Sequence, residues 1–239
     1  MIIFDYAGTL LTIDVHNGLR GMKSVMTYVV KNPRNLTAEQ VHDVKNSLYA
    51  QVCIPARKIG VEIQKQSFDK LLFEFLNLEF SIGYAELERI YWENSSQVSK
   101  TPNIEKLLAY LRENNIRSGV LSNLKYSGSA LRERINKNLP DNDFEFILST
   151  CDYIVRKPNS LIFELALRKS GLMANEVWFC GDTIDYDVAG AKKAGIFSVW
   201  YRGLINVKSQ ERLLTQATNT CLNIHDWEEL ISFLENNDR

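Results

Sequence analysis

Ile2-Ile3-Phe4-Asp5-Tyr6-Ala7-Gly8-Thr9 is a short apolar run that stops on an acid and a glycine-bearing turn. Three consecutive apolar residues fit a strand buried on both faces, because such a strand has no polar side to show. The acid then falls at the carboxyl end of the strand, the edge where open parallel sheets hold ligands. The same pattern recurs downstream. Residues 116–121, 144–148, 177–180, 197–201 and 221–224 are short apolar runs bounded by polar or turn residues. Helical patterns separate them. Ile104, Leu107, Leu108 and Leu111 keep the i, i+3, i+4, i+7 spacing of one helix face. Residues 161–169 form another helix, with Asn159 or Ser160 as its cap after Pro158, and 227–234 a last one. Strands alternating with helices predict an α/β fold, a Rossmann-like parallel sheet covered on both faces.

Residues 14–97 interrupt that alternation with helix-like segments at 18–31, 38–52, 67–79 and 84–97. Thr37 with Gln40 three residues later has the form of a capping box for the second. The expected organisation is a core from residues 1–13 and 98–239 with an inserted all-helical domain at 14–97. Phe68, Leu71, Leu72, Phe73, Phe75, Leu76 and Leu78 make the third helix apolar almost all round, which predicts burial, with a dimer contact as the alternative. The insert carries ten Lys/Arg and ten Asp/Glu, so counting alone gives it no charged patch.

Composition narrows the function classes. The chain has 239 residues, 45% hydrophobic and 24% charged, ordinary values for a globular protein. A net charge of -1 offers no footprint for nucleic acid. There is no run of 18 apolar residues and no basic region leading into a secretory apolar stretch, so no membrane association and a cytoplasmic location are expected. Cys53, Cys151, Cys180 and Cys221 lack the spacing of a zinc site and read as buried thiols. Nothing in the sequence specifies an oligomeric state.

The residues that follow the apolar runs carry the chemistry. Asp5 follows the first, Ser122-Asn123 the second, and Gly181-Asp182-Thr183-Ile184-Asp185-Tyr186-Asp187 the fourth, while Arg156-Lys157-Pro158 lies between the third and fourth. Three acids, a hydroxyl and a lysine on one sheet edge suit phosphoryl transfer. A carboxylate can attack phosphorus to give an acyl phosphate. Magnesium prefers oxygen ligands such as Asp5 and Asp182, with Asp187 acting through water. Lys157 adds positive charge beside Asp5, and Ser122 offers a hydroxyl to phosphate oxygens. Asp185 reads as a solvated loop residue, Arg156 and Arg202 as surface charges, and His42 and His225 as bystanders. His16, near the entry to the insert, is a candidate proton carrier.

Four segments in this order resemble the motifs of the haloacid dehalogenase-like superfamily. Phe4-Asp5-Tyr6-Ala7-Gly8-Thr9-Leu10 is similar to its nucleophile loop and Leu121-Ser122-Asn123 to its hydroxyl motif. Lys157-Pro158 with Ile162-Phe163 is similar to its lysine motif, and Gly181-Asp182 with Asp187, Gly190 and Ala191 to its acidic motif. The resemblance runs from residue 2 to about 203 and places the insert where one subgroup carries an early cap. It implies Asp5 as nucleophile and a magnesium ion held by Asp5, the main-chain oxygen of Ala7 and Asp182, with Asp187 nearby. It further implies Ser122 and Lys157 as catalytic and substrate-binding residues, Asn123 as a substrate contact, and a small phosphorylated or phosphonate substrate chosen by the cap.

Ala7 departs from the family pattern. Most family phosphatases carry there an aspartate that protonates the leaving group, a form of help worth about 10²–10⁴ in rate. The family's 2-haloacid dehalogenases also lack it but typically lack the Gly-Asp metal ligand, which Gly181-Asp182 keeps here. Phosphonoacetaldehyde hydrolases carry alanine at this place and use a cap lysine as an imine-forming amine; no cap motif of that branch is recognisable around Lys23, Lys31, Lys45, Lys58, Lys65 or Lys70. The expected function is therefore a magnesium-dependent phosphatase-like hydrolase. The alternatives are a phosphonatase-like enzyme and a weakened member that binds a phosphorylated ligand or a protein.

Overall fold

The computed structural model describes residues 1–203 and 221–237. Residues 204–220 and the last two, assigned above to the core, lie outside the described residues. In chain order the elements are β1 (Ile2–Phe4), β2 (Leu11–His16), α1 (Gly18–Met26), β3 (Val29–Lys31), α2 (Ala38–Lys58), α3 (Lys65–Phe75), β4 (Glu79–Phe80) and α4 (Tyr84–Ser95). There follow β5 (Ser96–Lys100), α5 (Ile104–Glu113), β6 (Ser118–Ser122), α6 (Gly128–Asn138), β7 (Phe144–Ser149) and α7 (Ser160–Ser170). The chain continues with β8 (Trp178–Gly181), α8 (Ala189–Lys193), β9 (Phe197–Tyr201), β10 (Cys221–Ile224) and a last helix, α9 (Trp227–Asn237).

Six strands form one parallel sheet in the order β10-β9-β8-β1-β6-β7. These are the six runs expected from the sequence. β1 is central, pairing Phe4 with Val120 on one side and with Cys180 on the other. Successive residues of β1 point to opposite faces. Ile2 and Phe4 join one core cluster with Leu107 of α5 and Trp227 of α9. Ile3 joins the other with Ile162, Phe163 and Ala191 from α7 and α8. The chain moves from β1 to β6 and β7, then returns to place β8 on the other side of β1. That reversal puts the carboxyl ends of β6, β1 and β8 around one crevice, where such folds bind ligands.

Residues 14–97 are mainly helical, and two short antiparallel strand pairs occur there, of which β3, the start of β4 and the start of β5 fall in stretches that periodicity assigns to helices. The pattern at 18–31 ends as a helix at Met26, and Val29–Lys31 pairs antiparallel with Glu79–Phe80. The pattern at 84–97 ends at Ser95, and β5 pairs antiparallel with β2 where the chain leaves and re-enters the core. The capping box at Thr37 and Gln40 forms as expected, as does the Asn159 cap, which accepts from the Leu161 N–H. The third helix is not buried all round: Phe68, Leu72 and Phe73 are buried, but Leu71 and Phe75 face solvent.

Residues 14–97 meet the elements around the parallel sheet through polar contacts as well as by packing. Glu88 of α4 is fully buried and accepts from the Ser127 N–H at 3.0 Å, the Ser127 hydroxyl at 2.6 Å and Gln66 Nε2 at 2.8 Å. A buried carboxylate is tolerable when donors surround it, as here. Arg134 of α6 donates to the Tyr6 hydroxyl and to Ser96, and lies against Trp92. On the other flank the insert meets the loops after β6 and β7: Lys65 N–H donates to Lys125 O, and Arg156 N–H to Gly60 O. Cys53, Cys151 and Cys180 are buried thiols. Among the described residues no helix is long and apolar enough to cross a membrane.

Candidate active site

Asp5 leaves the end of β1 with its N–H on the Cys180 carbonyl at 2.8 Å, so the strand ladder fixes its position. Gly8 then turns the chain at φ +84°, a conformation that glycine adopts without strain. A side chain at residue 8 would also collide: a β-carbon there would sit 2.3 Å from Asp182 Oδ2. Gly181 is confined likewise, its added β-carbon falling 2.3 Å from Asp187 Cγ. Two glycines thus leave the space in which two carboxylates approach β1.

Lys157 bridges the acids. Its Nζ donates to Asp5 Oδ1 and to Asp187 Oδ1, each at 2.6 Å, and to the Leu121 carbonyl at 3.1 Å. Asn123 holds this lysine by its backbone. Lys157 N–H donates to Asn123 Oδ1 at 2.8 Å, and Asn123 Nδ2 donates to Lys157 O at 3.0 Å. Asn123, expected to touch substrate, therefore has both ends of its amide engaged in positioning Lys157. Asp187 Oδ2 accepts from Thr183 N–H at 3.0 Å, so both its oxygens are occupied. Asp182 is held through its carbonyl by Trp200 Nε1 at 2.9 Å, and its carboxylate accepts from the Thr183 hydroxyl at 3.3 Å.

These groups surround a cleft of about 200 Å³ that is also lined by Ala7, Ser122 and Asn123. Carboxylate oxygens of Asp5, Asp182 and Asp187 lie within 4.8 Å of one another. Three acids face one lysine, and burial makes the surplus costly. Burial, then the charges of Asp5 and Asp187, pushes the Asp182 carboxyl up to about 7. Burial likewise pushes Asp187 up to about 6, against the pull of Lys157. Burial works against the Lys157 ammonium, but Asp187 and Asp5 overcome it and hold its pKa above the usual lysine value. An all-oxygen donor set with excess negative charge fits a hard divalent cation such as magnesium. The cluster fits no thiol- or imidazole-seeking metal, since it contains neither ligand type.

Residues outside the expected set shape the same place. Arg156 is no solvated charge: it pairs with the buried Glu62 of the insert and lies over the Tyr186 ring. Arg202, also expected at the surface, is buried against Trp200. Thr183 and Tyr186 line the cleft. Both follow Asp182 in the acidic segment, the one signal that pointed to them. Asp185 is exposed, as expected. His16 does not line the cleft; it sits on exposed β2, where burial and the charges of Lys125 and Lys45 lower its pKa.

The model of the family described as haloacid dehalogenase-like hydrolase matches residues 2–201. The chain belongs to this family. Among characterised relatives it is 29% identical over 139 residues to glyceraldehyde 3-phosphate phosphatase of Pyrococcus abyssi (strain GE5 / Orsay), a match covering 56% of each protein. The chain thus spans little more than half of that relative's length. It is 26% identical over 239 residues to pyrimidine 5'-nucleotidase YjjG of Escherichia coli (strain K12), covering 96% of each. The crystal structure of a 2-haloacid dehalogenase from Pseudomonas syringae pv. Tomato DC3000 matches with a TM-score of 0.64, 21% identity and coverage of 98% of this chain and 97% of that one. At that identity the likeness concerns the haloacid dehalogenase-like fold alone.

Proposed function

We propose that this haloacid dehalogenase-like protein is a magnesium-dependent phosphatase for a small phosphorylated metabolite, with Asp5 as nucleophile and residues 14–97 as the cap that selects substrate. The observation that carries the reading is the meeting of Asp5, Asp182 and Asp187 within 4.8 Å, bridged by Lys157, on the sheet edge. Asp5, Asp182 and the main-chain oxygen of Ala7 would hold the ion, with Asp187 beside them. When bound, magnesium supplies positive charge against the repulsion between a carboxylate and an anionic ester.

The chain's own residues do the rest. Lys157 occupies Asp5 Oδ1, which leaves Oδ2 without a hydrogen bond among the described residues and available for attack. Asp5 Oδ2 bonds to phosphorus as the ester oxygen departs, and water then cleaves the acyl phosphate to free Asp5 and inorganic phosphate. Lys157 and the Ser122 hydroxyl stabilise the charge that develops on the phosphoryl oxygens. Ala7 has no proton to give, so the departing alcohol takes its proton from solvent. This predicts a preference for esters with good leaving groups.

The test is a magnesium titration by calorimetry, paired with turnover of a panel that includes glyceraldehyde 3-phosphate and pyrimidine nucleotides. Asp182→Asn should weaken magnesium binding by about tenfold or more, since it removes a charge from a hard-cation site. Unchanged affinity would misplace the metal. Magnesium binding without turnover of any phosphate would favour a phospho-ligand-binding role for this chain.

A further inference from the structure

A second cavity lies between α2, α3, α4 and the loop that follows β6. Lys45, Arg57, Lys65 and Lys125 line it together with only two carboxylates, Glu62 and Asp69. Both carboxylates are already taken. Asp69 accepts from Lys65 through both oxygens, at 2.8 and 2.6 Å. Glu62 accepts from Arg57 at 3.1 and 3.0 Å and pairs with Arg156 on its other oxygen. Lys45 and Lys125 have no carboxylate partner among the described residues. Among the described residues the Lys45 ammonium hydrogen-bonds only to the Tyr91 hydroxyl, at 3.3 Å. Lys125 Nζ lies 5.4 Å from the Tyr49 ring centroid and 5.3 Å from that of Tyr126.

We infer that this cavity is a subsite for a carboxylate of the substrate, held by the Lys45 and Lys125 ammonium groups. Two ammonium groups that line one cavity without a carboxylate of their own gain nothing for the fold, whereas an anion between them would turn repulsion into two charge-assisted hydrogen bonds. The crowding is already felt: burial and Lys65 bring Lys45 down to about 8, and burial with Lys65, Lys45 and Arg57 brings Lys125 down to about 7. Size selects the kind of anion. The cavity holds about 20 Å³, room for one water-sized group. A single anionic oxygen meets that limit, and since the cleft would take the phosphoryl group, the second anion of a small metabolite is a carboxylate. Position ties the subsite to the cleft. Asn123 lines the cleft and Lys125 the cavity, and two residues apart on one loop their Cα atoms lie at most about 7 Å from each other. A small molecule with phosphate at one end and carboxylate at the other would bridge them.

The inference rests on the proposed phosphatase reading for the far end of the substrate, and the test separates the two. With magnesium present, wild type should turn over 3-phosphoglycerate with kcat/KM about tenfold or more above that for glycerol 3-phosphate, which lacks the carboxylate. Lys45→Met and Lys125→Met should each erase that preference while leaving glycerol 3-phosphate unchanged. Equal kcat/KM for the two esters in wild type, or variants that lower both alike, would overturn the subsite and leave the phosphatase reading standing. If neither ester is turned over, the phosphatase reading is decided by the wider panel, and the subsite is decided by protection. Trace amine labelling of the full chain, read by mass spectrometry, should show Lys45 and Lys125 shielded by 3-phosphoglycerate and not by glycerol 3-phosphate. No shielding, or equal shielding by inorganic phosphate, overturns it. Borohydride trapping of an aldehyde substrate on either lysine would also overturn it, because the lysine would then act as an amine nucleophile.

Discussion

The cleft at the sheet edge and the cavity under the insert are both unbalanced in charge, but in opposite senses and by different means. In the cleft three acids meet Lys157 and an Arg156 already paired with Glu62, and backbone ties hold them: Asn123 on the Lys157 backbone, Thr183 N–H on Asp187, and the strand ladder behind Asp5. In the cavity four cations meet two acids, carried on long flexible stems among tyrosine rings. Strand ends give fixed positions and suit chemistry that must not vary. Helix faces give adjustable ones and suit the choice of substrate. The Glu62–Arg156 pair stands between them, joining a carboxylate of the cavity to a cation of the cleft.

The largest expected effect falls on the cleft. Asp5→Asn should lower phosphate ester hydrolysis by about a thousandfold or more, because an amide is a poor nucleophile, while thermal stability stays near wild type. Normal turnover in that protein would move the chemistry away from the cleft. Next, Lys157→Met should destabilise the fold by about 3–5 kcal/mol in urea titrations, since Asp5 and Asp187 would be left buried without a cation. A smaller loss would mean that the cleft is less tightly tied than its geometry implies. Ala7→Asp should raise activity on phosphate esters of simple alcohols by about tenfold, and on aryl esters by less, because it installs a proton donor two residues after Asp5. A loss instead would favour a phosphonatase-like role, in which alanine leaves needed space.

The smallest effect sharpens the contrast, for it has the opposite sign to Lys157→Met. Lys125→Met should stabilise the fold by roughly 1 kcal/mol, a fraction of what its displaced pKa implies, because the lysine stem and its contacts with the Tyr49 and Tyr126 rings are lost with the charge. The pKa falls from 10.5 unfolded to about 7 folded. The unfolded chain thus binds more protons between those values, and the penalty is complete below about pH 7 and fades as pH rises toward 10.5. Urea midpoints at pH 6 and pH 9 should show the gap between variant and wild type narrowing at the higher pH. A variant less stable than wild type at pH 6 would remove the repulsion on which the comparison rests.

Legibility in the sequence followed the range of the forces involved. The six strands of the sheet were readable because each carries a short, mainly apolar run, and the cleft because its residues follow those strands. β2 was missed although Leu11-Thr12-Ile13-Asp14-Val15-His16 alternates strictly, the mark of a half-buried strand. The alternation stands at the edge of a helical region, and Ile13 and Val15 are exposed. β5, Ser96-Gln97-Val98-Ser99-Lys100, carries no apolar pattern and exists through its pairing with β2. α6 escaped despite its Ser127 cap and Leu131–Ile135 spacing. The basic cavity had no signal at all. Residues 45, 57, 65 and 125 converge only through tertiary packing, and the insert's equal totals of acids and bases hide a local surplus. Arg156 looked like a surface charge because its partner, Glu62, is 94 residues away.

Gly8 and Gly181 carry no reactive atom, yet the space they leave is where Asp182 and Asp187 sit. A survey of point variants scored by turnover would rank both glycines beside the acids, since a methyl group at either place drives a carboxylate out of register. Read alone, such a score overstates how many residues do chemistry. Scored by magnesium affinity as well, the two kinds of position part: a displaced carboxylate lowers turnover and metal binding together, whereas a lost proton donor or phosphate contact lowers turnover alone. For anyone redesigning the loop after β1, residue 8 is closed to side chains by volume, and residue 7 is the place left open to new function.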